Sequence, residues 1–157
     1  MQGFLIGYYP YVWIMELTGD QYQELVRTLA DGILIVDESG EILYESPAVQ
    51  RLTGYAPEER TGDHAFEHVH PDDERRVREA FADVLEADAE DDRVVTAEFR
   101  FRHKDGSWVW LEARGHAQRA ATIGGYIVRV SDITEAKARE ERLERTTARL
   151  EALFENS

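Results

Sequence analysis

The segment 93–116 constrains the fold most: two runs of alternating character, 93–102 and 107–116, meet across Lys104-Asp105-Gly106. A three-residue loop with glycine in the left-handed position is a common hairpin connection, and it sets the register. Phe101 then lies opposite Val109, Phe99 opposite Leu111 and Ala97 opposite Ala113, so one face is wholly apolar. The other face sets Arg100 across from Trp110 and Arg102 across from Trp108, an arrangement suited to cation–π contact.

The remaining elements follow from periodicity. Thr18 or Asp20 caps a short amphipathic helix carrying Tyr22, Leu25, Val26 and Leu29, which stops before Gly32. Ile33-Leu34-Ile35-Val36 and Ile42-Leu43-Tyr44 read as strands around the turn Asp37-Glu38-Ser39-Gly40. Short helical pieces fill 46–70, and Pro71 opens a longer helix with acids in its first turn and Val77, Phe81, Val84 and Leu85 as its apolar stripe. After an acidic loop come the strands 93–102, 107–116 and 122–132. From there the chain is helical to its end. A heptad places Ala136, Leu143 and Leu150 at d, and Ile133, Glu140, Thr147 and Phe154 at a. Two polar a positions weaken this seam, while Arg139 at g facing a partner's Glu144 at e favours a parallel homodimer.

Composition removes several functions. The formal charge of -14 repels phosphate backbones and anionic surfaces, so no nucleic acid is expected as partner. With no cysteine there are no disulfides, thiolate metal sites or cysteine adducts. Acidic surplus with only two lysines, Lys104 and Lys137, suits a salt-rich, halophilic cytoplasm as well as it suits an arginine-favouring genome. The apolar segment 4–15 is broken by Pro10 and falls short of the ~20 residues that span a bilayer. It is read as a leader outside the fold; a membrane remnant and an interfacial anchor stay open.

Asp31-Gly32-Ile33-Leu34-Ile35-Val36-Asp37, Leu52-Thr53-Gly54-Tyr55, His70-Pro71-Asp72-Asp73, His103-Lys104-Asp105-Gly106-Ser107-Trp108-Val109-Trp110 and Ser131-Asp132-Ile133-Thr134-Glu135 together closely resemble a PAS domain. The resemblance covers about 22 to 135 and implies an α+β fold. Its sheet would be five-stranded and antiparallel, of order 2-1-5-4-3, with helices on one face. The expected organisation is a leader over 1–17, an N-terminal helix over 18–31, the PAS core over 32–133 and a coiled-coil-like signalling helix over 134–157. The segment 150–157 also resembles the opening of a further domain of this kind, as in a tandem sensor.

The same resemblance bears on cofactors. Where flavin-binding relatives carry the photoreactive cysteine, this chain has Ala65, and their flavin-facing amides align with Phe101, Leu111 and Val130. Haem-binding relatives place a histidine on the long helix, and here none follows Pro71 through Ala87. Neither flavin nor haem is expected. His64 and His68 share an i, i+4 spacing, but the family explains His70 and its aspartates as a helix start, so no metal site is assigned. No catalytic motif occurs, and no enzyme is expected.

The candidate pocket wall is Val95, Ala97, Phe99, Phe101, Val109, Leu111, Ala113, Tyr126, Val128 and Val130, which packs shut or takes a small, planar, apolar ligand. The candidate signal-relay junction is Asp132, Ile133 and Thr134. Two readings stand: a cytoplasmic sensory and dimerisation module beside a PAS, histidine kinase or transducer output domain, or a structural spacer with a closed core. A haem- or metal-binding sensor is a third, lesser reading.

Overall fold

The computed structural model describes residues 5–9, 12–15, 17–88, 90–117 and 119–156. They form two compact units, 1–30 and 31–157.

In the first unit, β1 (Leu5–Tyr9) pairs antiparallel with β2 (Val12–Met15). The segment expected as a leader thus holds a hairpin, because β-branched and aromatic residues favour strands, and it registers as Tyr8↔Trp13 and Gly7↔Ile14. Pro10 lies outside the described residues. The helix α1 (Gly19–Thr28) starts at the N-cap Thr18, whose hydroxyl accepts the Gln21 N–H while the Gln21 side chain accepts the Thr18 N–H.

The second unit is built on the expected sheet. Its strands are β3 (Gly32–Val36), β4 (Ile42–Glu45), β5 (Val94–Arg102), β6 (Trp108–His116) and β7 (Tyr126–Asp132), in the order β4-β3-β7-β6-β5, all antiparallel. The β5–β6 register is the one set by the turn: Phe101↔Val109, Phe99↔Leu111 and Ala97↔Ala113. Gly106 sits at φ 92°, where a side chain would be strained. β7 begins at Tyr126 rather than 122, because Ala120 and Gly125 close a turn with Gly124 at φ 79°.

α2 (Pro47–Thr53), α3 (Pro57–Arg60) and α4 (Pro71–Glu86) form the helical layer, and α5 (Thr134–Glu155) follows β7. Val77 and Val84 of α4 are buried in the core with Leu34, Phe99, Leu111 and Val130. Leu85, expected in that stripe, is 37% exposed, because it lies next in sequence to Val84 and so points about 100° around the helix. β5 is an edge strand whose free side is covered: the His70 N–H donates to the Arg100 carbonyl and the Arg102 N–H to the His68 carbonyl.

Candidate functional site

Two adjoining voids lie between α4 and the sheet, of about 80 and 70 Å³. They share the walls Phe66, Val77, Phe81, Ala113 and Val128. Val77 and Phe81 face the voids together because residues four apart share a helix face. Phe81, one of these shared walls, meets Phe66 edge-on at 5.5 Å and Tyr126 at 6.5 Å.

The candidate wall divides accordingly. Val95, Ala97, Ala113, Tyr126 and Val128 line the smaller void, and Phe99, Ala113, Val128 and Val130 the larger. Phe101 and Leu111 are buried in the core, with Val109 packed against it, and none of the three lines either space. Ala65 lines the larger void. Phe66, absent from the expected wall, sits in a turn and carries no periodic signal; Val77 and Phe81 were legible as the α4 stripe but not as pocket.

The histidines serve structure. His64 Nε2 lies 2.9 Å from the Ser39 carbonyl, and its Nδ1 accepts the Phe66 N–H. The ring fills the space beside Gly40, where an added Cβ would sit 2.8 Å from Nε2. His68 stacks on Tyr55 at 4.8 Å, and His70 Nδ1 accepts the Asp72 N–H at the start of α4. Among the described residues, no group of three or more His, Asp or Glu side chains is placed to hold a metal.

Charge enters in two places. Arg60 and Glu45 form a buried ion pair at 2.6 Å that sequence pattern did not signal. Asp73 accepts from the Arg100 N–H at 2.8 Å and from its guanidinium at 2.9 Å, and these bonds hold the carboxyl far below the usual carboxylate range.

The candidate junction is tied to β6. Asp132 accepts the Thr134 N–H at 2.8 Å, leaving one fewer unpaired donor at the start of α5. The Ile133 N–H donates to the Trp110 carbonyl at 3.0 Å, and the Trp110 N–H donates to Thr134 Oγ1 at 3.2 Å. Ala136, Leu143 and Leu150 are exposed, as is every described residue from 139 onward. Among the described residues, no helix is long and apolar enough to cross a membrane.

Comparison with known proteins places this geometry. The PAS fold family model matches residues 42–125. White collar 2 protein of Neurospora crassa is 39% identical over 98 residues, which is 62% of this chain and 18% of that protein. Blue light receptor lreB of Aspergillus flavus is 32% identical over 97 residues, 60% of this chain and 18% of that one. The chain thus spans less than a fifth of these curated relatives. A sensory box histidine kinase/response regulator structure from Burkholderia thailandensis superposes with TM-score 0.64 at 25% identity, covering 84% of this chain and 98% of that one.

Proposed function

Since this chain belongs to the PAS fold family, we propose that it is a sensory and dimerisation module of signal transduction that binds a small, planar, apolar molecule between α4 and the sheet. Occupancy would bias the α5 helices of a homodimer through Asp132, Ile133 and Thr134. The observation that carries this reading is the pair of adjoining voids whose shared wall, Phe66, Val77, Phe81, Ala113 and Val128, has no polar side chain. Each void is about half the ~150 Å³ that holds benzene, and displacement of Phe81 would join them. Neither flavin nor haem fits these residues: Ala65 and Val130 offer no hydrogen bond to an isoalloxazine, and α4 carries no histidine.

The organisation we assign is a leader over 1–17, an N-terminal helix over 18–31, a core over 32–133 and a signalling helix over 134–157. It acts without catalysis of its own, in the cytoplasm, beside a PAS, histidine kinase or transducer output domain. White collar 2 and the histidine kinase structure support a place within a longer signalling protein. A closed-core spacer is the second reading, favoured by the small size of the voids.

Native mass spectrometry of protein from its natural host tests the two, together with chemical-shift titration by benzene and indole. A retained small molecule, or shifts at Phe66, Phe81 and Ala113, is expected. Protein that carries nothing and responds to neither probe is a spacer.

A further inference from the structure

α4 lies among the helices on one side of the sheet, whereas α5 starts against the other side, beside Trp110. α4 packs on β5, the edge strand, and α5 on its neighbour β6, and two sets of contacts pass around that edge. On the first, Asp73 of α4 holds the Arg100 guanidinium at 2.9 Å. That guanidinium stands 5.4 Å from the centroid of Trp110, its cross-strand neighbour, and Lys137 Nζ stands 4.8 Å from the same ring. On the second, Arg76 of α4 donates to the Glu98 carbonyl at 2.6 and 3.1 Å, and the Glu98 carboxylate holds Lys137 at 2.8 Å.

We infer that Lys137 is the positioning residue of α5, on which two lines of contact from α4, Asp73–Arg100–Trp110 and Arg76–Glu98, converge. Asp73 and Val77 are one helical turn apart and both buried, and Val77 lines both voids. A shift of α4 that admits a ligand therefore moves Asp73 and Arg76, and with them the two groups that hold Lys137. The arrangement is independent of Asp132 and Thr134, whose bonds fix where α5 begins; Lys137, one turn further, fixes its direction. Lysine suits this place because its single charge meets both ring and carboxylate.

This inference rests on the reading that α5 carries the state of the domain, but its test needs neither ligand nor dimer. Spin labels on cysteines replacing the exposed Leu85 and Ala152, the latter off the seam, report the direction of α5 relative to α4 in labelled full chain diluted into unlabelled. Lys137→Met is expected to shift or broaden the distance distribution and change tryptophan emission, with Lys137→Arg restoring both. Asp73→Asn and Arg76→Met should each shift the distribution, yet add nothing in the Lys137→Met background. Where Asp73→Asn fails to fold, Arg76→Met, on a half-exposed side chain, supplies the same arm. An unchanged distribution in Lys137→Met, or full shifts persisting in that background, overturns the inference. Absence of a ligand response would instead remove the cavity reading and leave this coupling standing.

Discussion

Arg60 donates from Nη1 to Glu45 Oε1 at 2.6 Å with both side chains shut away from solvent, and Glu45 Oε2 has no hydrogen-bond partner among the described residues. The Arg60 guanidinium also stands 5.1 Å from the Phe101 centroid. Burial pushes the Glu45 carboxyl up and the Arg60 guanidinium down, while each partner's charge pulls the other back toward ionisation. The pair joins the end of β4 to the end of α3, so it holds the helical layer in place at the cost of desolvating two charges.

Removing one partner strands the other. Glu45→Ala or Arg60→Ala should each destabilise by about 3–5 kcal/mol, whereas the double replacement Glu45→Leu/Arg60→Leu should be neutral or stabilising by about 1–4 kcal/mol. Urea unfolding of the three variants decides it. A double variant as unstable as the singles would mean that the pair contributes net attraction beyond its desolvation cost.

This pair shows where sequence reading ended. The β5–β6 register was legible because Gly106 fixes the turn and pairing runs without a bulge through nine residues on each side. Glu45 was not, since a register irregularity between Ile35 and Val36 interrupts strict alternation along β3 and β4. Arg60 follows it by fifteen residues across an irregular stretch, and contacts of that kind leave no local pattern. The pocket was half legible for the same reason: its sheet wall alternates, whereas Phe66 and Ala65 sit in turns.

Acidification should weaken the fold through Asp73. Its folded pKa lies below the unfolded value of ~3.9, so its bonds to Arg100 stabilise fully above about pH 4 and are lost as pH falls toward the folded value. Glu45 has the opposite sign: its raised folded pKa costs stability as pH rises past the unfolded value of ~4.3. Asp73→Asn should lose about 1.5–3 kcal/mol at pH 6 and then decline less steeply than the parent below pH ~4. Parallel stability curves for the two proteins would remove Asp73 from the account.

Filling the voids should separate sensing from stability. Ala113 lines both, so Ala113→Leu places its added methylenes into space already empty. The cost should stay at or below the lower end of the ~1–3 kcal/mol typical of overpacked cores. Benzene and indole should then no longer shift the resonances of Phe66 and Phe81. A variant that still binds them places the ligand elsewhere.

Salt should stabilise the domain. The net charge of -14 on 157 residues repels itself most in dilute buffer, and raising ionic strength from ~0.1 to ~1 M shortens the screening length from about 10 to about 3 Å. Melting temperature in potassium chloride should rise across that range; a flat series would show that ion pairs such as Lys104–Glu59 already offset the repulsion.

The helix pair should be the weakest link, and the easiest to strengthen. Every described residue of α5 beyond Ala138 is exposed, including Leu143 at 68%, Leu150 at 51% and Phe154 at 79%. The heptad puts Glu140 and Thr147 at the a positions between Ile133 and Phe154, and pairing must bury both against their counterparts. Glu140 also lies 3.5 Å from Lys137, so replacing it would alter the helix start as well as the seam. Thr147→Ile avoids that complication, because it adds a β-branched apolar side chain where parallel two-stranded pairs favour one. Dimer affinity should rise about tenfold for each ~1.4 kcal/mol gained, which sedimentation velocity over a dilution series measures directly. Arg139→Glu should act in reverse by setting like charges against the partner's Glu144. If neither substitution moves the dissociation constant, α5 does not pair along this seam, and dimerisation belongs to another surface of the domain.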